Sequence, residues 1–366
     1  MSDGVRVLDL DLDLGDAAGL GEPVRIRVTL TLPPAEALPD APIVCFAQPG
    51  AGYGRGYFGF DMPAASGGGQ AGWHAARGWI FCALDPLGVG ESSLPDMART
   101  MFEPVVAASH AAVRQVLGHL AAGGLAEGFP SIRAPVVLGL GQSMGGALTV
   151  VQQAHHDSFD AIAVLGFSAV QTRSSVPPGA RPADVPELAR GAAPRGPDPL
   201  AQEARRAAAA NARLLALRAS AGRYPSAAPT PPGWLYHYED VPLQVVARDL
   251  DFSGPPPPWR SPTMPGLVHF VTAAGAIAPE AASIVVPVLA AFGERDSLED
   301  PRLEAKAYRH AVDFSLFICP RMGHMHNFAS TREVLWSRIH HWGLHVADLK
   351  GRLPQVWPAQ LFSDSY

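Results

Sequence analysis

Residues 136–146 constrain the fold more than any other stretch of this chain. The apolar run Val136-Val137-Leu138-Gly139-Leu140 leads without a break into Gly141-Gln142-Ser143-Met144-Gly145-Gly146. Such a run predicts a parallel strand buried on both faces. Ala147, Leu148 and Val151 continue at helical spacing, so a helix follows at once. A strand that turns into a helix within so few residues presses backbone segments together where a Cβ would clash, which Gly141 and Gly145 avoid. The turn has a chemical meaning. A serine hydroxyl is a poor nucleophile until it is lifted out of the backbone and set beside a base. The first amides of the following helix, Met144 foremost, would face any negative charge that develops beside Ser143.

The rest of the chain repeats the strand and helix alternation. Strand-like runs occur at Val5 to Leu14, Val24 to Leu32 and Ile43 to Ala47, the third leading into Gln48-Pro49-Gly50-Ala51-Gly52-Tyr53-Gly54. A helix-compatible stretch around Gly72 to Arg77 precedes a strand at Trp79 to Leu84 and the turn Asp85-Pro86-Leu87-Gly88-Val89-Gly90-Glu91-Ser92. Phe102 to Ala122 is helical in pattern, and Ala161 to Gly166 is a further short strand. After a break the order resumes with a strand at Ile284 to Phe292, a helix at Pro301 to Ala311, a strand at Phe314 to Cys319 and a helix at Phe328 to Leu344. Ser330 and Glu333 stand there as a capping box. This alternation predicts an α/β fold with a mostly parallel central sheet and helices on both faces.

The break, residues 172–283, is rich in proline and alanine. It holds one long helix candidate, opened by Asp198-Pro199 and running to Ser220, and then a proline-dense stretch carrying Trp234, Tyr236, Tyr238, Phe252 and Trp259. Linkers seldom carry so many aromatics, so a folded lid is expected. The expected division is a core of residues 1–171 and 284–366 with an inserted cap at 172–283.

Composition excludes several classes of function. The 366 residues are 48% hydrophobic and 17% charged with a formal net charge of -6, which describes a globular chain without the basic footprint of a nucleic-acid binder. No apolar run reaches the roughly 18 residues of a membrane span, and the start of the chain lacks the pattern of a signal peptide. Cys45, Cys82 and Cys319 lie in or beside apolar strands, so buried free thiols and a reducing cytoplasm are expected. No zinc or phosphate-loop motif occurs, and the expectations are no cofactor, no metal and no nucleic-acid or membrane partner, with a homodimer left open.

An activated serine needs a base, and the base needs a buried carboxylate to fix its tautomer. In Phe292-Gly293-Glu294-Arg295-Asp296 an acid stands just past a strand's C-terminal end, where ligands gather in such sheets. Asp296 is preferred there. Asp300 heads a helix and reads as an N-cap, and strand alternation turns Glu294 away. The base is expected after the next strand, in Met322-Gly323-His324-Met325-His326-Asn327. His324, behind a glycine turn, is preferred over His326, which would brace the loop through Asn327 or the cap. A metal site of His324 and His326 lacks a third ligand. His155-His156 ends the helix after Ser143, and His340-His341 lies on the last helix. The loop of Gln48 to Gly54 supplies the second amide for an oxyanion, with Ala51 the expected donor beside Met144.

With these motifs in this order, the chain resembles the serine-nucleophile members of the α/β-hydrolase superfamily. Pro49-Gly50-Ala51 stands where that family has His-Gly-x, and Asp85 to Ser92 is similar to its Asp-x-x-Gly-x-Gly-x-Ser turn. Gly141 to Gly146 resembles its nucleophile elbow, and Gly293 to Asp296 and Gly323-His324 resemble its acid and base positions. The resemblance covers about residues 40–170 and 284–345, and Pro49 departs from it. It implies acyl transfer to water by Ser143, His324 and Asp296, with the Ala51 and Met144 amides holding the oxyanion. The implied substrate is a fairly apolar small carboxylic ester, thioester or lactone, because relatives that cleave halides or epoxides place aspartate at the elbow. An acyltransferase, a carbon-carbon bond hydrolase and a non-catalytic ligand receptor of the same fold remain as alternatives.

Overall fold

The computed structural model describes residues 4–352 apart from 64, 66, 173–174, 176–230 and 252–253. Eight strands form one sheet: β1 (Arg6–Asp13), β2 (Arg25–Leu32), β3 (Ile43–Gln48), β4 (Ile80–Asp85), β5 (Val136–Gln142), β6 (Ala161–Leu165), β7 (Val288–Gly293) and β8 (Phe314–Cys319). Their spatial order is β1-β2-β4-β3-β5-β6-β7-β8. β2 runs antiparallel to both β1 and β4, and every other pair is parallel. The edge strand β1 alternates Asp9, Asp11 and Asp13 on its outer face, a charge pattern that discourages pairing with another chain.

β3, β4, β6 and β7 are buried at every position, because helices cover both faces. Side chains alternate between the two layers with the strand period. On one face Val44 and Phe46 meet Val105, Val113 and Val116 of α2 (Phe102–Ala122) and Leu148 and Val151 of α3 (Met144–His156). On the other, Cys45 and Ala47 join Ala71 of α1 (Gly69–Ala75) and Leu335, Ile339 and Trp342 of α7 (Arg332–Arg352). The same alternation sends Cys45 and Cys82 to opposite faces, and all three cysteines are buried free thiols, as the sequence predicted.

Within the stretch expected to be inserted, the described residues are folded against the core. They include α4 (Pro231–Tyr236), α5 (Leu243–Leu250) and α6 (Ala278–Ser283). Leu267, Val271, Ile277 and Ala281 belong to the main core cluster together with α2 and α3. The helix expected from Asp198-Pro199 to Ser220, and Phe252, lie outside the described residues.

Two local expectations are corrected. The capping box does not form: Ser330 Oγ donates to Asp240 Oδ2 at 2.6 Å, so α7 starts at Arg332, behind a short 3-10 turn at His326–Phe328. A tertiary partner outcompetes the local cap. The helix predicted from Pro301 to Ala311 is a 3-10 helix confined to Pro301–Lys306, with Asp300 capping it through the Arg302 amide at 3.0 Å, as the sequence suggested.

Candidate active site

The chain passes from β3 to β4 on one side and later to β5 on the other, so the crevice between β3 and β5 is where the winding reverses. Open α/β sheets bind ligands at such points, beyond the C-terminal strand ends. The loop of Gln48 to Gly54 leaves β3 there, and Ser143 stands at the end of β5. The loops after β7 and β8 reach towards the same crevice.

Ser143 has φ 54° and ψ −120°, a left-handed conformation that is strained for a residue with a side chain. The surroundings hold it there. Its amide donates to the Leu165 carbonyl at 2.7 Å, and its carbonyl accepts from the Gly146 amide at 2.8 Å. The glycines are needed for close approach: a Cβ on Gly141 would stand 2.0 Å from the Gly145 carbonyl oxygen, and one on Gly145 2.1 Å from that of Gln48. Ser143 is half-buried, and Met144 opens α3 directly behind it. The β3 loop lies against it, since a Cβ on Gly50 would be 3.2 Å from the Ser143 Cβ. Ala51, next in that loop, is half-buried.

The structure brings the predicted acid, base and serine together. Ser143 Oγ is 3.0 Å from His324 Nε2, and His324 Nδ1 donates to Asp296 Oδ1 at 2.6 Å. Asp296 and His324 are 2% and 6% exposed, so the relay is sheltered up to the serine. Backbone amides complete the acid: Ser297 N donates to Oδ1 at 2.7 Å and Gly293 N to Oδ2 at 2.8 Å. Burial opposes ionisation of Asp296, but the facing His324 and the bonds from His324 and His326 outweigh it and hold the carboxyl well below the usual range.

Glu294 turns outward, as predicted, and accepts from the Arg321 amide at 2.8 Å. His155 pairs with Glu103 at the end of α3. His326 departs from its expected role: its Nε2 donates to Asp296 Oδ2 at 2.9 Å. Asn327 instead braces the loop, donating to Tyr57 through both its backbone and its side chain. The turn that begins at Asp85 is structural, with the buried Asp85 carboxylate accepting from the Arg55 amide at 2.7 Å and the Glu91 amide at 3.1 Å.

Sequence reasoning did not find the residues that fasten the loops around Ser143 and His324. Gln142 Nε2 donates to the His324 carbonyl at 2.9 Å, tying the elbow to the base loop. The His324 and Met325 amides donate to the Leu235 and Tyr236 carbonyls, and the Tyr236 ring stacks on His324 with centroids 5.8 Å apart. Arg295 lies between the rings of Trp234 and Tyr238 and donates to the His237 carbonyl. The β3 loop has its own fastening. Gly54 N donates to Trp259 O and Ser261 N to Gly52 O, while Tyr53 Oη donates to the fully buried Asp249 at 2.7 Å. Trp234, Tyr236, Tyr238 and Trp259 of the proline-dense stretch are thus spent on holding loops.

Neither a protein-family model nor a curated protein matches the chain by sequence. Solved structures match it closely in shape. A thermophilic esterase from Thermogutta terrifontis is 14% identical with a TM-score of 0.53, over 92% of this chain and 99% of that one. A peroxisomal alpha-beta-hydrolase from Saccharomyces cerevisiae is 12% identical with a TM-score of 0.57, over 95% and 91%. A haloalkane dehalogenase variant from Bradyrhizobium elkanii is 16% identical with a TM-score of 0.54, over 94% and 99%. The chain has the α/β-hydrolase fold. In this α/β-hydrolase fold the elbow, acid and base loops lie beyond the strand ends in the chain order serine, aspartate, histidine. No described helix is long and apolar enough to cross a membrane.

Proposed function

We propose that the protein is a serine hydrolase that cleaves a carboxylic ester, thioester or lactone of a fairly apolar small molecule through an acyl-enzyme. The observation that carries this reading is the unbroken contact series from Asp296 through His324 to Ser143, at 2.6 and 3.0 Å. In the mechanism, Ser143 attacks the carbonyl as His324 Nε2 takes its proton. Asp296 keeps the proton on Nδ1 and stabilises the imidazolium. His324 then protonates the leaving group, and a water deprotonated by His324 releases the acid and restores Ser143. The Met144 and Ala51 amides receive the oxyanion, a role supported by Met144 at the start of α3 and by the β3 loop lying against Ser143.

Residues 1–171 and 284–366 form the hydrolase core in this reading, with 172–283 an inserted cap whose packed end reaches into that core. Serine rather than aspartate at the elbow favours acyl chemistry over the halide chemistry in the name of the dehalogenase neighbour. The expected result is that purified protein hydrolyses short aryl esters and is labelled at Ser143 by a serine-directed phosphonate. Ser143→Ala is expected to lose activity by several orders of magnitude while remaining folded. A folded protein that shows neither turnover nor labelling overturns the reading in favour of a ligand receptor. Turnover that persists in Ser143→Ala moves the chemistry elsewhere.

A further inference from the structure

Asp296 carries one more histidine than an acyl-transfer relay needs. Its two oxygens accept four donors: His324 Nδ1 and the Ser297 amide on Oδ1, His326 Nε2 and the Gly293 amide on Oδ2. The two rings stand nearly perpendicular, at 75° with centroids 6.5 Å apart, so they meet opposite ends of one carboxylate without touching the same oxygen. His326 is 1% exposed, and its Nδ1 has no hydrogen-bond partner among the described residues. A carboxylate only accepts, so the ring proton must sit on Nε2. His326 has one polar contact through its ring, and that contact is the acid.

We propose that His326 is a positioning residue for the reaction, holding Asp296 by Oδ2 so that Oδ1 stays committed to His324 Nδ1. This rests on the reading of Ser143, His324 and Asp296 given above. Two amides alone leave the carboxylate free to rotate about its Cβ–Cγ bond and to offer His324 either oxygen at poorer angles. His326, the second donor on Oδ2, removes that freedom. The base then keeps both its tautomer and its aim, which is where misplacement of an acid is most damaging. The effect belongs to the chemical step, so it lowers kcat and leaves substrate binding alone.

The test uses His326→Ala and His326→Gln, the second retaining an amide donor near the position of Nε2. In His326→Ala, kcat for an aryl ester is expected to fall about 10- to 100-fold with KM within about twofold, the size of one hydrogen bond to a charged group. His326→Gln is expected to recover most of the loss. The low-field proton NMR signal of the His324 Nδ1–H on Asp296 should broaden or shift in His326→Ala and return in His326→Gln. An unchanged kcat in folded His326→Ala, or a change in KM alone, overturns the proposal. So does a folded His326→Gln that is no better than His326→Ala. Should wild-type protein fail to label at Ser143 while the NMR signal still answers to His326, the hydrolase reading falls and the positioning of the acid stands. An unaltered NMR signal in both variants removes the positioning role whatever the activity.

Discussion

Two fully buried aspartates in this molecule accept from histidine rings, Asp296 from two and Asp249 from one, and those rings end in different surroundings. Asp296 accepts from His324 Nδ1, and the far nitrogen of that ring meets Ser143 at 3.0 Å. Asp249 accepts from His237 Nε2 at 3.0 Å, and the far nitrogen of that ring has no hydrogen-bond partner among the described residues. Asp249 gathers instead Tyr53 Oη at 2.7 Å and Trp259 Nε1 at 2.9 Å, with the Arg260 guanidinium 3.8 Å away. Burial opposes ionisation of Asp249 as well, and the His237 bond with the charges of His237 and Arg260 outweighs it, leaving this carboxyl too below its usual range. Ionisation state therefore does not separate the two pairs. What separates them is the group on the histidine's other side: His324 meets a strained, half-buried serine, while the far nitrogen of His237 has no hydrogen-bond partner among the described residues.

The largest effect that sharpens this contrast is kinetic. Asp296→Asn is expected to lower kcat about 10⁴-fold, by supporting the wrong tautomer of His324. Asp249→Asn should keep kcat within about tenfold. Aryl ester turnover on both folded variants decides it, and an equal collapse in Asp249→Asn breaks the comparison.

The second effect is thermodynamic and runs the other way. Removing Asp249 leaves the buried His237 and Tyr53 donors, and the Trp259 donor, without their shared acceptor, so Asp249→Ala is expected to destabilise the fold by about 3–5 kcal/mol in urea unfolding. Acid should have the same direction of effect. A carboxyl held low in the folded state contributes stability above the usual carboxylate range and loses it as pH falls through its folded value.

A third buried histidine tests what happens with no acid at all. His74 Nδ1 donates to the Gln70 carbonyl at 2.9 Å, and burial pushes its pKa from 6.5 down to about 3. Below pH 6.5 the unfolded chain takes up the proton that folded His74 refuses, so stability falls as pH drops from 6.5 towards 3. At pH 5 the loss is about 2 kcal/mol relative to pH 7. His74→Leu should remove that increment from the difference between unfolding curves at the two pH values. An unchanged difference would show that His74 is charged when folded.

The smallest effect concerns a half-buried aspartate. Asp300 caps a short 3-10 helix and pairs with Arg302 at 3.2 Å, so Asp300→Ala is expected to cost about 1 kcal/mol or less with kcat unaltered. A marked kinetic loss there would return Asp300 to contention as the acid.

The sequence made the series Ser143, His324 and Asp296 legible and left the Asp249 cluster dark, for a physical reason. Ser143, Asp296 and His324 each sit past the end of a strand, and periodicity locates regular elements well: the strand Phe314–Cys319 and the helix Phe102–Ala122 match their predicted bounds. Asp249 lies on α5 and meets Tyr53, His237, Trp259 and Arg260, which share no strand end and no fixed spacing. Only the packed chain assembles them. His326 was visible as a rival base, yet its target depended on which way two neighbouring rings turned around one carboxylate. The start of α7 was misjudged because Ser330 had a better partner in Asp240 than in its own helix.

The backbone bonds from His324 and Met325 to Leu235 and Tyr236 bear on engineering. Exchanging the whole of 172–283 for another segment would remove the main-chain partners of His324 and Met325 and the rings that hold Arg295. A replacement that leaves residues 234–239 and 249–261 in place would keep those bonds and, with them, the alignment of His324 on Ser143.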